Sequence, residues 1–217
     1  MDPLPFLDLF PQLLKGARVT LLITLAAAAL AFVLSFAVAF ARMSKFRLVR
    51  WVIGAYVEVF RGTSAIVQLF VLFYILPAYG IRLEPFTTAV VTLGLNLSAY
   101  GSEVVRGALL SVDEGQRDAA AALGLPNILA WRLVLLPQAF VVMLPSFGNL
   151  LIELLKATSL VSLITITELT FAGRQMVVTT GRDLEVWGLV LVLYFVMAFP
   201  LSLLVRLAER HAARFRS

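Results

Sequence analysis

Apolar residues along this chain come in long unbroken runs separated by short charged stretches, rather than at the spacing of a one-sided helix or an alternating strand. Residues 19–41 contain no Asp, Glu, Lys or Arg. A bilayer core of about 30 Å takes about 20 apolar helical residues to cross, so this run predicts a first span over 19–41. Residues 63–77 are also free of charge, but at about 1.5 Å per residue they reach only about 22 Å. The second span is therefore expected to extend back through Arg61 and Glu58 as one helix over 52–77. Further spans are predicted over 86–105, 133–155 and 186–206. The apolar run 157–167 has half the needed length and reads as a short re-entrant or interfacial helix between the fourth and fifth spans. The expected fold is an all-α integral membrane protein with five transmembrane helices, built as a single domain over 1–217. No convincing internal repeat or linker divides it.

The segment 107–132, between the third and fourth spans, has a different character. Residues 116–123 are Ala-rich and of high helix propensity. Asp113 and Glu114 stand where a helix N-terminus favours negative charge. Gly124 and Pro126 supply the usual C-terminal punctuation. A short helix with a small-residue face is predicted, either as a mere surface turn or as a docking element.

Composition supports the membrane assignment. The 217 residues are 61% hydrophobic and 14% charged, against roughly 45–50% and 25% in soluble domains. The +5 charge is spread between apolar runs and makes no nucleic-acid-binding face. Zero Cys and one His, His211, exclude disulfide scaffolds, thiolate sites and His-pair metal sites. Arg42, Lys45, Arg47, Arg50, Arg106, Arg117, Arg132, Arg206, Arg210, Arg214 and Arg216 fall on one side of the predicted spans. Lys15, Arg18, Arg82, Arg174 and Arg182 fall on the other. The richer side is expected to be cytoplasmic, which puts the N-terminus outside and the C-terminus inside. Asp2 and Asp8 precede any basic residue, unlike the positive start of a signal peptide, so the first span is expected to remain in the mature chain.

Particular residues narrow the class. Asp118-Ala119-Ala120, then Gly124, then Val134-x-Leu136-Pro137 resembles the signature loop of permease subunits of ABC importers, with Asp for the usual Glu and Val for the usual Ile. Residues 58–68, from Glu58 through Arg61, Gly62 and Thr63 to Gln68, resemble the second-span motif of the polar amino-acid uptake branch, with Ser64 where Pro is usual. Ala99-Tyr100-Gly-Ser-Glu103-Val-Val-Arg106-Gly107, Leu136-Pro137-Gln138-Ala139 and residues 149–160 fit the same branch.

This resemblance implies a type I ABC importer permease in a bacterial inner membrane. It implies a second permease subunit, identical or paralogous, two ABC ATPase subunits and an extracytoplasmic substrate-binding protein. The substrate would be a polar amino acid or similar small zwitterion, including a cationic amino acid or an ectoine-like compatible solute. No cofactor is expected. The chain has no Gly-rich nucleotide loop, so it is not expected to hydrolyse ATP itself. The segment around Gly115, Asp118, Ala119, Ala120 and Gly124, with Leu136 and Pro137, would be the coupling helix and its anchor, seated in an ATPase groove by its small face.

Ionisable groups within spans are costly and mark functional candidates. Glu153 and Lys156, one turn apart, are read either as a structural ion pair or as a substrate contact and gate. Thr158 and Ser159 are read as caps of the short helix or as substrate contacts at a half-helix end. Asn96 and Asn149 make interhelical hydrogen bonds or line the cavity. Glu58 with Arg61, and Glu103 with Arg106, are expected to pair and brace the cytoplasmic ends of two spans. Trp51, Trp131 and Trp187 fit an aromatic belt. A stand-alone secondary transporter or channel for small polar solutes is the alternative. It is disfavoured by the missing inverted repeat. An intramembrane enzyme lacks a nucleophile–base pair.

Overall fold

A computed structural model describes residues 6–213. Asp2, Arg214 and Arg216, used above for processing and topology, lie outside the described residues, as do the side chains of Asp8 and His211. All regular structure among the described residues is helical. The principal helices are α1 (Phe6–Arg42), α2 (Arg47–Gly62), α3 (Ala65–Phe70), α4 (Pro85–Leu110) and α5 (Glu114–Ala122). They continue with α6 (Asn127–Ala130), α7 (Leu136–Ala157), α8 (Leu169–Thr180) and α9 (Asp183–Ala213). Wider π turns at Val71–Ile75 and Trp131–Leu135 continue α3 and join α6 to α7. A 3₁₀ turn at Leu76–Tyr79 completes the run that starts at α3.

Among the described residues, three helical stretches are long and apolar enough to cross a membrane: Phe10–Arg42, Asn127–Ile164 and Asp183–Arg210. The α2 and α3 stretches qualify together as a fourth, but they meet at a bend of 108°. The expectation of one continuous second helix over 52–77 is therefore corrected. Gly62 ends α2, and Thr63 and Ser64 are both extended (φ −119°, ψ 158° and φ −73°, ψ 135°). Helix α1 is longer than its predicted span and takes Lys15 and Arg18 into its body.

The centre of the fold is the α1–α4 pair. Helix α4 buries Thr88, Thr92, Ser98 and Ser102, so its polar content reflects burial among other helices rather than exposure to lipid. Thr92 and Ser102 return their hydroxyls to Thr88 O (2.7 Å) and Ala99 O (2.8 Å), which satisfies them internally. Small residues let the two backbones approach: Ala27 and Ala31 of α1 are buried, Gly94 lies under Leu30, and Gly101 lies under Ser35 and Phe147. A side chain at Gly101 would collide with Ser35 and meet Phe147 Cε1 at 3.2 Å. We expect Gly101→Val to destabilise the chain by about 1–3 kcal/mol. Gly54→Ala, which meets open space in this chain, should not do so; thermal unfolding of both variants in detergent checks this.

Three apolar clusters run along the bundle. One joins Leu13 and Ala17 of α1 to α8 and the start of α9. The middle one joins Ile23, Leu69, Leu93, Leu154 and Ile164. The third gathers Ala39, Leu109, Val112, Leu135 and Met143 beneath α5.

The expected short helix over 157–167 is also revised. Thr158–Ile164 forms a 3₁₀ turn, Thr165 takes a left-handed conformation (φ 67°), and the real helix of this connection, α8, follows.

Candidate functional site

The break between α2 and α3 leaves the last carbonyls of α2 without intrahelical partners. Residues of the quoted motifs take them up. Thr63 donates to Val59 O (2.7 Å). Gln68 Nε2 donates to Phe60 O (3.0 Å) and Thr63 Oγ1 (2.8 Å). Asn96 Nδ2, from α4, donates to Phe60 O (3.1 Å) and to Gln68 Oε1 (3.0 Å). Tyr100 donates to Arg61 O (3.3 Å), and the Arg61 guanidinium lies 5.5 Å from the Tyr100 ring centre. Asn96 thus makes the interhelical bonds of the first of its two readings. Glu58 is exposed and pairs with no cation among the described residues, so the expected Glu58–Arg61 pair is corrected. The bend sets the end of α2 against α4, where Tyr100 takes Arg61. Gln68 was quoted within a motif but not singled out as a candidate.

Asn149, Glu153 and Lys156 occupy one face of α7 at helical spacing, and all three are exposed. Gln138 lies on the same face one end down, also exposed. The structural ion pair, one of the two readings of Glu153 and Lys156, is not formed, and among the described residues neither group has an ion-pair partner. This is an open polar stripe along an otherwise apolar helix. Beyond the stripe, Thr158 is fully buried and Ser159 is partly exposed. They do not cap a following helix: their hydroxyls donate back to Leu155 O (2.7 Å) and Lys156 O (2.8 Å) at the end of α7.

At the other end, α5 starts where the sequence placed it. The Asp113 carboxylate accepts from Gly115 N–H (2.8 Å), and Gly124 closes the helix with φ +70°. Asp118, Ala119 and Gly124 are exposed, whereas Ala120 is buried at 3% and packs into this chain's own fold. The expectation of an outward small face containing Ala120 is corrected accordingly. Leu123 (79% exposed) and Ile128 (81%) are large apolar side chains left open in this segment, and the motif residues do not include them. Gln138 Nε2 donates to Gln116 Oε1 (3.2 Å), joining α5 to the foot of the α7 stripe. Leu136 and Pro137 begin α7 directly after the π turn Trp131–Leu135, where the helical ladder lacks the Pro137 N–H. Glu103 pairs with Arg106 (2.7 Å), as expected, and also with Arg42 of α1. The triad joins the ends of α1 and α4. Trp131 is more than a belt residue: it touches Phe40 (6.3 Å) and the Arg117 guanidinium (5.9 Å).

One group escaped sequence reading altogether. Glu168 is fully buried. Its carboxylate accepts from Phe171 N–H (2.8 Å), Thr170 N–H (2.9 Å), Tyr194 Oη (3.1 Å) and Thr20 Oγ1 (3.5 Å). It caps α8 and ties α1 to α9. A hint was available, since an acid just before an apolar helical run is an N-terminal signal.

Comparison with known proteins agrees with the motifs. A family model described as binding-protein-dependent transport system inner membrane component matches residues 31–217. The probable amino-acid ABC transporter permease protein y4tF of Sinorhizobium fredii is 44% identical over 216 residues, covering 96% of this chain and 90% of that protein. The L-cystine transport system permease protein TcyB of Bacillus subtilis is 38% identical, covering 95% and 88%. A solved amino acid ABC transporter with histidines superimposes with a TM-score of 0.90 at 34% identity, covering 97% of this chain and 99% of that one.

Proposed function

This chain belongs to the family of binding-protein-dependent transport system inner membrane components, and from that membership we propose that it carries a polar amino acid or similar small zwitterion across the bacterial inner membrane. It is a permease with the type I ABC importer fold, not an enzyme. The full length 1–217 acts as one permease domain with five spans, the bent α2–α3 run counting as the second. The N-terminus lies outside and the C-terminus inside, in line with the basic residues clustered at the α1, α4 and α9 ends. A second permease, identical or paralogous, completes the path. Two ATPase subunits dock below, and an extracytoplasmic binding protein delivers substrate from above.

The observation that carries the reading is the α7 stripe. Unpaired charges at membrane depth face a water-filled path or a partner rather than lipid. Asn149, Glu153 and Lys156, with Ser159 beyond them, give a zwitterion both a cation and an anion to meet, while the buried Thr158 closes the end of α7. An open Glu153 favours substrates carrying a cationic group, such as a cationic amino acid. Asn96 acts through the bend rather than by touching substrate. Glu58, Arg61, Glu103 and Arg106 brace the cytoplasmic ends. The α5 region, with Gly115, Asp118, Ala119, Gly124, Leu136 and Pro137, is the coupling element. Ala120 seats it on the bundle.

Proteoliposomes containing this permease, its ATPase and its binding protein should take up labelled amino acid only with internal or external ATP reaching the ATPase. Uptake by the permease alone on an ion gradient would instead establish a secondary transporter. In the same assay Lys156→Met is expected to lower uptake about tenfold or more, a loss of about 1.4 kcal/mol, while the ATPase still co-purifies. Undiminished uptake would remove Lys156 from the path.

A further inference from the structure

Arg117 sits on α5 but reaches away from the exposed face of that helix. Its Nη2 donates to Leu109 O (3.3 Å), one of the last carbonyls of α4, where a helix end carries partial negative charge and free acceptors. Its guanidinium lies over Trp131 at 5.9 Å, in the π turn that leads into α7. Trp131 in turn meets Phe40 of α1. One side chain therefore touches both helices that α5 connects, and through the indole a third.

Arg has five donors, yet Nε is buried without any acceptor, and the one backbone bond is long. Asp118, the adjacent acid, is exposed and forms no ion pair with it. Such a guanidinium fixes where α5 sits relative to α4 and Trp131, and it has bonding capacity in reserve when α5 shifts.

We propose that Arg117 is a positioning residue for coupling, which converts displacement of α5 into movement of the α4 end and the α7 foot. This rests on the reading of α5 as the ATPase-coupled element. Its planar group matters as well as its charge, because Lys cannot stack on the indole while reaching the carbonyl in the same way.

The test uses the assembled transporter in proteoliposomes, with substrate uptake counted per ATP hydrolysed. Arg117→Ala should retain the ATPase through purification and retain hydrolysis, while uptake per ATP falls tenfold or more. Arg117→Lys should recover only part of that loss, and Trp131→Leu should reproduce it. Wild-type uptake per ATP in Arg117→Ala would overturn the proposal. So would loss of the ATPase in step with loss of uptake in Arg117→Lys, since that marks a docking or folding role. The exposed pair Leu123 and Ile128 separates the two levels of inference. If Leu123→Asp/Ile128→Asp keeps its ATPase, α5 is not the docking element. If that variant sheds the ATPase while Arg117→Ala stays fully coupled, only the positioning role fails.

Discussion

Replacing Leu123 and Ile128 together by aspartate is expected to strip the ATPase from the purified complex while leaving the permease folded. Both side chains are about four-fifths exposed in this chain, so the fold loses little when they go. On the proposed topology, two large apolar groups exposed on this segment suit insertion into a partner groove. Burying each contributes about 1.5–3 kcal/mol, so losing both weakens docking by about 3 kcal/mol or more, a factor of about a hundred or greater. Added carboxylates deepen the loss because they must be desolvated on docking. Affinity capture of the permease, with the ATPase followed by its activity, reads the result directly. Full retention of the ATPase would remove this surface from the interface. Gly124 is the weaker probe: its φ of +70° makes any ordinary side chain strain the helix end, so lost docking in a Gly124 variant has two causes.

The long apolar helices α1, α7 and α9 and the short α5 helix were legible in the sequence because each follows from local composition. Long charge-free runs require burial in lipid, and Asp113, an alanine run and Gly124 spell a capped helix. What escaped was long-range. The break at Thr63 cannot be read from the absence of charge over residues 63–77 alone. It depends on Asn96, 36 positions from the Phe60 carbonyl it satisfies. Charge pairing at one-turn spacing was an unreliable guide. Glu103 found Arg106 and a second partner on α1, while Glu58 and Glu153 found none. Spacing makes such a pair geometrically available, but whether it forms depends on which face the bundle leaves open. For α7 the open face is the informative outcome, because an unpaired Glu and Lys there have something else to do.

Glu168→Ala is expected to loosen the junction of α1, α8 and α9 more than any other single polar change. The carboxylate caps α8 and serves donors from α1 and α9 at once. Losing a helix cap costs about 0.5–2 kcal/mol, and each donor stranded in the interior costs about 1–3 kcal/mol. Some stranded donors will find water or one another, as Thr170 and Tyr194 already do at 2.9 Å. A net loss of about 2–4 kcal/mol follows. For a chain of this length that is a fall in Tm of about 4–16 °C, measurable by fluorescence-monitored unfolding in detergent. Glu168→Asp keeps the charge and can still reach the nearby N–H groups, but it draws back from Tyr194, so it should recover the capping share alone. Tyr194→Phe removes only the α9 arm and should cost about 1 kcal/mol. Because both changes break the same contact, Glu168→Asp with Tyr194→Phe should cost less than the sum of the two. Strict additivity would mean that the carboxylate does not link α8 to α9. An Ala variant no weaker than Tyr194→Phe would mean that the cap contributes nothing. The burial of a carboxylate at this junction makes sense only if several helix ends depend on it together.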